Sequence, residues 1–174
     1  MPFPNVEPRV LVIGIGNPCR GDDSVGRIVV RRIKRRNLPF LQAIEHEGEG
    51  TSLMGLWGGA EQVIVVDAVS SGSVTGTIHR FDALLQSLPR IIFNVSTHAF
   101  GLIEAVELAR ALKQLPARFV VFGIEGNRFE MGAKPSACVQ AAVPYVVDRV
   151  LEEARGGMKS PADLLRVRNS GPSS

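Results

Sequence analysis

Cysteine is scarce in this chain: Cys19 and Cys138 are the only two in 174 residues. Two thiols make no disulfide framework and no structural zinc site by themselves, and free thiols suit a reducing compartment. No stretch reaches the roughly 18–20 uninterrupted apolar residues of a membrane span, so no membrane partner is expected. The opening residues, MPFPNVEPRV, carry neither a basic lead nor a long apolar segment; a cytoplasmic protein without a secretory signal is the expectation. The phosphate-binding pattern G-x-x-x-x-G-K-[ST] and the serine-hydrolase pattern G-x-S-x-G are both absent. Charge of one sign is also in short supply, since the net charge is only +3. The excess is local, in Arg27, Arg31, Arg32, Lys34, Arg35 and Arg36. No aromatic residue interleaves these cations. They read as a solvated helix face, with positive charge favoured near the helix C-terminus, and nucleic acid is not an expected partner.

What is present is a strand–helix alternation. The run Arg9–Ile15 has no polar alternation and reads as a strand buried on both faces. Gly14, Gly16 and Pro18 end it. Asp22 or Asp23 then suits the cap of a helix carrying Val25, Ile28, Val29 and Ile33, ending near Asn37. A second strand is expected over Phe40–Glu47 and a short helix over Thr51–Trp57, where Met54 and Trp57 serve packing. The run Gln62–Ala68 is the clearest strand, with Asp67 at its carboxyl end. A polar loop over Ser70–Gly76 leads to an edge strand at Thr77–Phe81, and Asp82–Leu88 to one or two helical turns. Ile91–Phe93 reads as a strand or a buried loop. The spacing of Leu102, Val106, Ala109 and Leu112 predicts a helix over Ala99–Leu115, capped by Ser96 or Thr97. Arg118–Ile124 is another buried strand, followed by a loop over Glu125–Lys134. A last helix starts near Pro135 and runs to about Glu153, with Pro144 inside it and Cys138 expected in the core. The fold class is therefore α/β, a mostly parallel central sheet between helical layers. Residues 1–155 are expected to form one domain. Residues 156–174 read as a poorly ordered tail in which Ala162–Val167 can form a short helix.

Loops leaving the carboxyl ends of parallel strands are where such sheets bind ligands. Asp22 and Asp23 stand on the first of these, and two adjacent acids repel unless a cation or a proton intervenes. They also argue against a dinucleotide site: Gly14 and Gly16 open that fingerprint, but its third glycine falls on Cys19 and the acids would repel a pyrophosphate. Asp67 belongs on the same rim. His98 joins it if a strand precedes its helix, and a helix N-terminus keeps an imidazole neutral and able to ligate. Two carboxylates and an imidazole suit a borderline divalent ion such as nickel or zinc. Spacing alone leaves an alternative open, in which Asp23 is a helix cap, Asp67 a loop anchor and His98 a polar residue at a helix start. Other clusters are weaker. In Glu45-His46-Glu47 a strand would turn His46 away from both glutamates. His79 reads as a surface residue, and Cys19 as a nucleophile has no histidine near it in sequence.

The segment GIGNPCRGDDSVG resembles the opening motif of the hydrogenase maturation proteases, which usually runs G-x-G-N-x-x-x-x-D-[DE]-G-x-G. The resemblance continues through Gly50-Thr51, VIVVDAV around Asp67, and Ser96-Thr97-His98 leading into Gly101-Leu102, in matching order over roughly residues 9–150. It implies a three-layer α/β/α sandwich and an endopeptidase that trims the C-terminus of the large subunit of nickel–iron hydrogenases. It also implies that Asp23, Asp67 and His98 form the metal-contacting and catalytic site, that Asp22 supports the loop, and that Gly16 and Asn17 shape it. No permanent cofactor is implied: the nickel arrives with the precursor. Three positions depart from the motif. Ser24 replaces a glycine, Cys19 a commonly apolar residue, and Glu49 stands where glycine is frequent. The expected partner is the precursor of a hydrogenase large subunit, met transiently by a monomer. The alternative function is a non-catalytic nickel chaperone of the same maturation pathway.

Overall fold

The computed structural model describes residues 10–95 and 98–156. Its strands are β1 (Val10–Ile15), β2 (Leu41–His46), β3 (Gln62–Val69), β4 (Ile78–Asp82) and β5 (Arg118–Glu125). Its helices are α1 (Val25–Lys34), α2 (Gly50–Trp57), α3 (Leu102–Ala111) and α4 (Ala137–Gly156). The sheet runs β2-β1-β3-β5-β4. All neighbours are parallel except the edge strand β4, which pairs antiparallel with β5.

The unbroken apolar runs are explained by two cores. Along β3, Ile64, Val66 and Ala68 face one cluster with Val29, Ile33, Val143 and Val147, from α1 and α4. Val63, Val65 and Val69 face a second cluster with Leu53, Trp57, Val106 and Ala109, from α2 and α3. A strand covered on both sides has no position where water would favour a polar side chain. Trp57 meets Phe119 edge-on, with ring centroids 4.9 Å apart. The expected α/β/α sandwich and its mostly parallel sheet are present.

The glycines of the first motif set how closely α1 approaches the sheet. A Cβ on Gly26 would stand 2.3 Å from the carbonyl oxygens of both Ile15 and Val66. At Gly16, φ is +143° and a Cβ would meet the Asp23 carbonyl oxygen at 1.8 Å. The chain therefore folds back on itself between β1 and α1 with backbone against backbone, which only glycine permits.

Several local expectations need correction. Neither Asp22 nor Asp23 caps α1; both lie in a single 3-10 turn, Gly21–Ser24, and Ser24 precedes the helix without a side-chain cap. Helix α1 stops at Lys34, ahead of Asn37 at φ 46°. Helix α3 begins at Leu102 and ends at Ala111. Its start is set by Gly101, whose N–H donates to Glu104 Oε2 at 3.0 Å. The caps proposed at Ser96 and Thr97 lie outside the described residues. Residues 83–86 form a turn on Asp82, not a helix. Of the two alternatives for residues 91–93 the loop is the one present, with Phe93 buried and Ile91 exposed. Cys138 is exposed rather than core, because the buried face of α4 is carried by Val139, Val143 and Val146. Arg9, the tail after Gly156 and the helix proposed at Ala162–Val167 also fall outside the described residues.

Candidate active site

The turn after β1 is tied down by its first acid. Asp22 is fully buried and accepts from the backbone N–H groups of Asn127 (3.0 Å), Arg128 (3.1 Å) and Ser136 (2.6 Å), and from Ser136 Oγ (3.1 Å). It binds the 16–24 turn to the loop between β5 and α4, which is the supporting role the motif resemblance implies. Ser24, where that motif has glycine, fits without strain: its Oγ donates to the Gly21 carbonyl at 2.7 Å.

Asp23 points the other way. Its Oδ2 accepts from the Asn17 N–H at 2.9 Å and stands 3.9 Å from Arg20 Nη1. Burial raises its carboxyl above the ordinary 3.8, while the Asn17 hydrogen bond, Arg20 and Arg27 pull it back down. Asp67 shows a larger effect. It follows Val63 and Val65 on the α2–α3 side of β3, and only 7% of it is exposed. Burial, with the negative charge of Asp23 beside it, pushes the Asp67 carboxyl from 3.8 up to about 7, against one hydrogen bond from the Ala68 N–H at 2.8 Å. Two carboxylates sharing a poorly hydrated site destabilise each other's charge, and a cation between them removes that cost.

His98 reaches this rim without a strand of its own. No strand leads into it among the described residues, and it lies four residues ahead of α3, outside that helix's first turn. Its segment is held against the start of α2. Gly50 N–H donates to the Phe100 carbonyl at 2.9 Å, and a Cβ on Gly50 would collide with the Phe100 ring at 2.3 Å. A Cβ on Gly48 would stand 3.9 Å from His98 Cδ2. The Gly50-Thr51 motif thus gives the His98 segment room to lie against Gly48 and Gly50.

Asp23, Asp67 and His98 all line one cavity of about 330 Å³, with Arg27 and Glu47 on its wall. A smaller cavity of about 170 Å³ adjoins it and shares Ile15, Asp67 and His98. Among the described residues, no three His, Cys, Asp or Glu side chains are gathered closely enough to hold an ion. The trio borders an open chamber, and its oxygen and nitrogen donors suit a borderline divalent cation. The hydrogenase maturation protease model, named HycI, matches residues 28–153. The chain belongs to the hydrogenase maturation protease family. The matched span contains Asp67 and His98; Asp23 precedes it.

Relatives agree with that membership. The chain is 32% identical over 157 residues to a Methanocaldococcus jannaschii protein provisionally named a hydrogenase maturation protease, covering 86% of this chain and 96% of that one. It is 23% identical over 151 residues to the hydrogenase 2 maturation protease of Escherichia coli, covering 84% and 91%. Among solved structures, the hydrogenase maturating endopeptidase HybD from E. coli superposes with a TM-score of 0.71 at 20% identity, covering 85% of this chain and 93% of that one. The [NiFe] hydrogenase maturation protease HybD from Thermococcus kodakarensis gives 0.68 at 24%, covering 84% and 99%. At these identities the two structures speak to the fold alone. Family membership makes the chain a peptidase by descent. Among the described residues, no helix is long and apolar enough to cross a membrane.

One residue that helps build the cleft, Arg20, was not singled out from the sequence, and another, Arg27, carries a different role from the one expected. Arg20 Nε donates to the Phe129 carbonyl at 3.2 Å and Nη1 to the Val95 carbonyl at 3.3 Å, joining two loops over Asp23. No local pattern marks it, because both acceptors are backbone atoms distant in sequence. Arg27, expected on a solvated face, is only 15% exposed; its Nε donates to the Gly16 carbonyl at 2.6 Å. Arg31 forks onto Glu45 at 3.0 and 2.9 Å, so the basic run is partly neutralised within the fold. Glu47 is exposed and lines the cavity, whereas His46 turns to Ser52 Oγ at 2.8 Å and accepts from the Gly48 N–H at 2.9 Å. Glu45, His46 and Glu47 therefore form no joint site. His79 is half-buried at β4, 3.3 Å from Glu125 Oε2. Exposed Cys19, also considered as a nucleophile, is not part of the cavity wall.

Proposed function

We propose that this protein is the endopeptidase that removes a C-terminal peptide from the nickel-loaded precursor of a nickel–iron hydrogenase large subunit. Family membership supports the reaction class. One observation carries the site: Asp67, buried at the end of β3, holds its carboxyl at about 7 because burial and Asp23 disfavour its charge. That pair gains most from a divalent ion, and His98 adds a nitrogen donor on the same cavity wall. Nickel here is part of the substrate. Asp23, Asp67 and His98 would contact it and so hold the precursor with one peptide bond at the cavity. Hydrolysis needs an attacking water, and a carboxylate near neutrality is suited to accept its proton. The protein acts as a cytoplasmic monomer that meets its partner transiently.

The test is a processing assay. Purified protein is mixed with a large-subunit precursor from the same source, with and without loaded nickel, and the masses are read. Loss of a C-terminal peptide from the loaded form alone is the expected result. Binding without any change in mass would replace the protease by the nickel chaperone. Cleavage regardless of nickel would remove the metal check while leaving the peptidase.

A further inference from the structure

His98 lies in a loop, so its place on the cavity wall is set by what that loop lies against. The surface it meets is the turn between β2 and α2. A Cβ built on Gly48, at φ +99°, would stand 3.9 Å from His98 Cδ2, and the Gly50 N–H holds the Phe100 carbonyl at 2.9 Å. Gly50 is fixed by α2, whose first turn Glu49 caps by accepting from the Thr51 N–H at 2.9 Å and the Ser52 N–H at 2.8 Å. Gly48 lies ahead of the helix, in a left-handed conformation that glycine adopts freely and leaves freely. Its N–H donates to His46 Nδ1 at 2.9 Å. An amide can only donate, so Nδ1 carries the lone pair and Nε2–H donates to Ser52 Oγ at 2.8 Å. Burial lowers this imidazole from the ordinary 6.5, against the carboxylates of Glu49 and Glu47, which keeps the lone pair on Nδ1. The His46 carbonyl meanwhile accepts from the Gly16 N–H at 3.1 Å, at the entrance to the turn that carries Asp23. Main chain and ring of one residue thus reach both halves of the site.

We propose that His46 is a positioning residue for the reaction: its imidazole holds the Gly48 backbone in the conformation that lays the turn against His98, and so sets the place of the His98 imidazole relative to Asp67. The inference rests on the function proposed above, in which His98 contacts the nickel of the precursor. His46 is on the wall of neither cavity, so it acts only through the turn. What the turn needs from it is one accepted hydrogen bond two residues along the chain. Asparagine supplies the same bond, since its Oδ1 accepts from the N–H two residues on in an Asx turn. Its shorter side chain does not extend to Ser52.

The experiment compares wild type, His46→Leu and His46→Asn, with circular dichroism and melting confirming each fold. NMR reads the His98 Cδ2 proton and the exchange protection of the Gly48 amide, and kcat/KM is measured on nickel-loaded precursor. His46→Leu should expose the Gly48 amide to exchange, move the His98 signal and lower kcat/KM about tenfold or more, because a small misplacement of a group at the reacting centre is costly. His46→Asn should return both signals to their wild-type values and kcat/KM to within about threefold of wild type. A residue that only stabilised the fold would lose activity in step with melting temperature, and asparagine, which leaves Ser52 unbonded, would not rescue it. A folded His46→Leu protein with the wild-type kcat/KM overturns the proposal, whether or not the His98 signal moves. An asparagine variant as impaired as the leucine variant overturns it too, because the Gly48 bond is then not what matters. If wild type releases no peptide from loaded precursor, the functional reading itself falls, and the Gly48 and His98 signals decide by themselves whether His46 sets the place of His98.

Discussion

At Asp67 the side chain enters a layer otherwise packed by Val63, Val65 and Val69, where a carboxylate keeps little of its hydration. Its carboxyl titrates near 7 in the fold and near 3.8 when exposed. Between those values the folded protein binds the extra proton, so stability falls as pH rises from about 4 to about 7 and is level above that. Asp67→Asn removes the penalty. The metal-free variant should match wild type in urea denaturation at pH 4 and exceed it at pH 8 by up to about 4 kcal/mol, at 1.36 kcal/mol per pKa unit. The same variant should process loaded precursor at least about a hundredfold more slowly. Stability gained and activity lost together would mark a residue kept for chemistry. Asp67 was legible in the sequence because a lone acid ending an apolar run has no packing reason to be there. The division of labour between Asp22 and Asp23 was only half legible. Both lie in one tight turn, and only the fold shows that Asp22 faces the 126–136 loop while Asp23 faces Asp67.

The elements around the cleft are joined by side chains that bridge loops. Asp22 is the anchor between the 16–24 turn and the start of α4. Asp22→Ala strands the N–H groups of Asn127, Arg128 and Ser136, and should cost about 3–5 kcal/mol in chemical denaturation. Arg20 is the strap across the top, and Arg20→Met should change the global unfolding free energy by no more than about 1 kcal/mol. It should also speed amide hydrogen exchange in residues 89–95 and 126–133, read by mass spectrometry, without changing exchange in β1 or β3. The strands were legible because β1, β3 and β5 are covered on both faces and so show as unbroken apolar runs. Helix α3 is shorter than its apolar spacing predicts, since Ala99 and Leu115 continue that spacing while Gly101 and the Glu104 back-bond set its true start. The basic run is the solvated face that the sequence predicts at Arg31, Arg32, Lys34, Arg35 and Arg36, all exposed; Arg27 is the exception, because the sequence does not display the acceptors that the run meets. Glu45 lies on a neighbouring strand, and the Gly16 carbonyl is a backbone atom.

Over the whole molecule, one end of a stable sandwich holds a charge arrangement that the fold alone leaves strained. The sheet is buried by two independent cores, and the acid pair sits where their strands end. Nickel drawn in between the two carboxylates would stabilise the native state by an amount set by its concentration over its dissociation constant, about 2.7 kcal/mol at a hundredfold excess. For a chain of this length that corresponds to roughly 5–10 °C in melting temperature. The gain must depend on pH. Below about pH 5.5 the Asp67 carboxyl, at about 7, stays protonated, and binding has to displace that proton. At pH 8 it is ionised and the repulsion with Asp23 is at its largest. Differential scanning calorimetry with excess nickel should therefore show a clear rise in melting temperature at pH 8, a smaller one at pH 5.5, and reversal by chelator. Asp67→Asn should show no rise at either pH. A nickel shift of equal size at both pH values would mean that the ion sits elsewhere on the chain, and the acid pair would need another explanation.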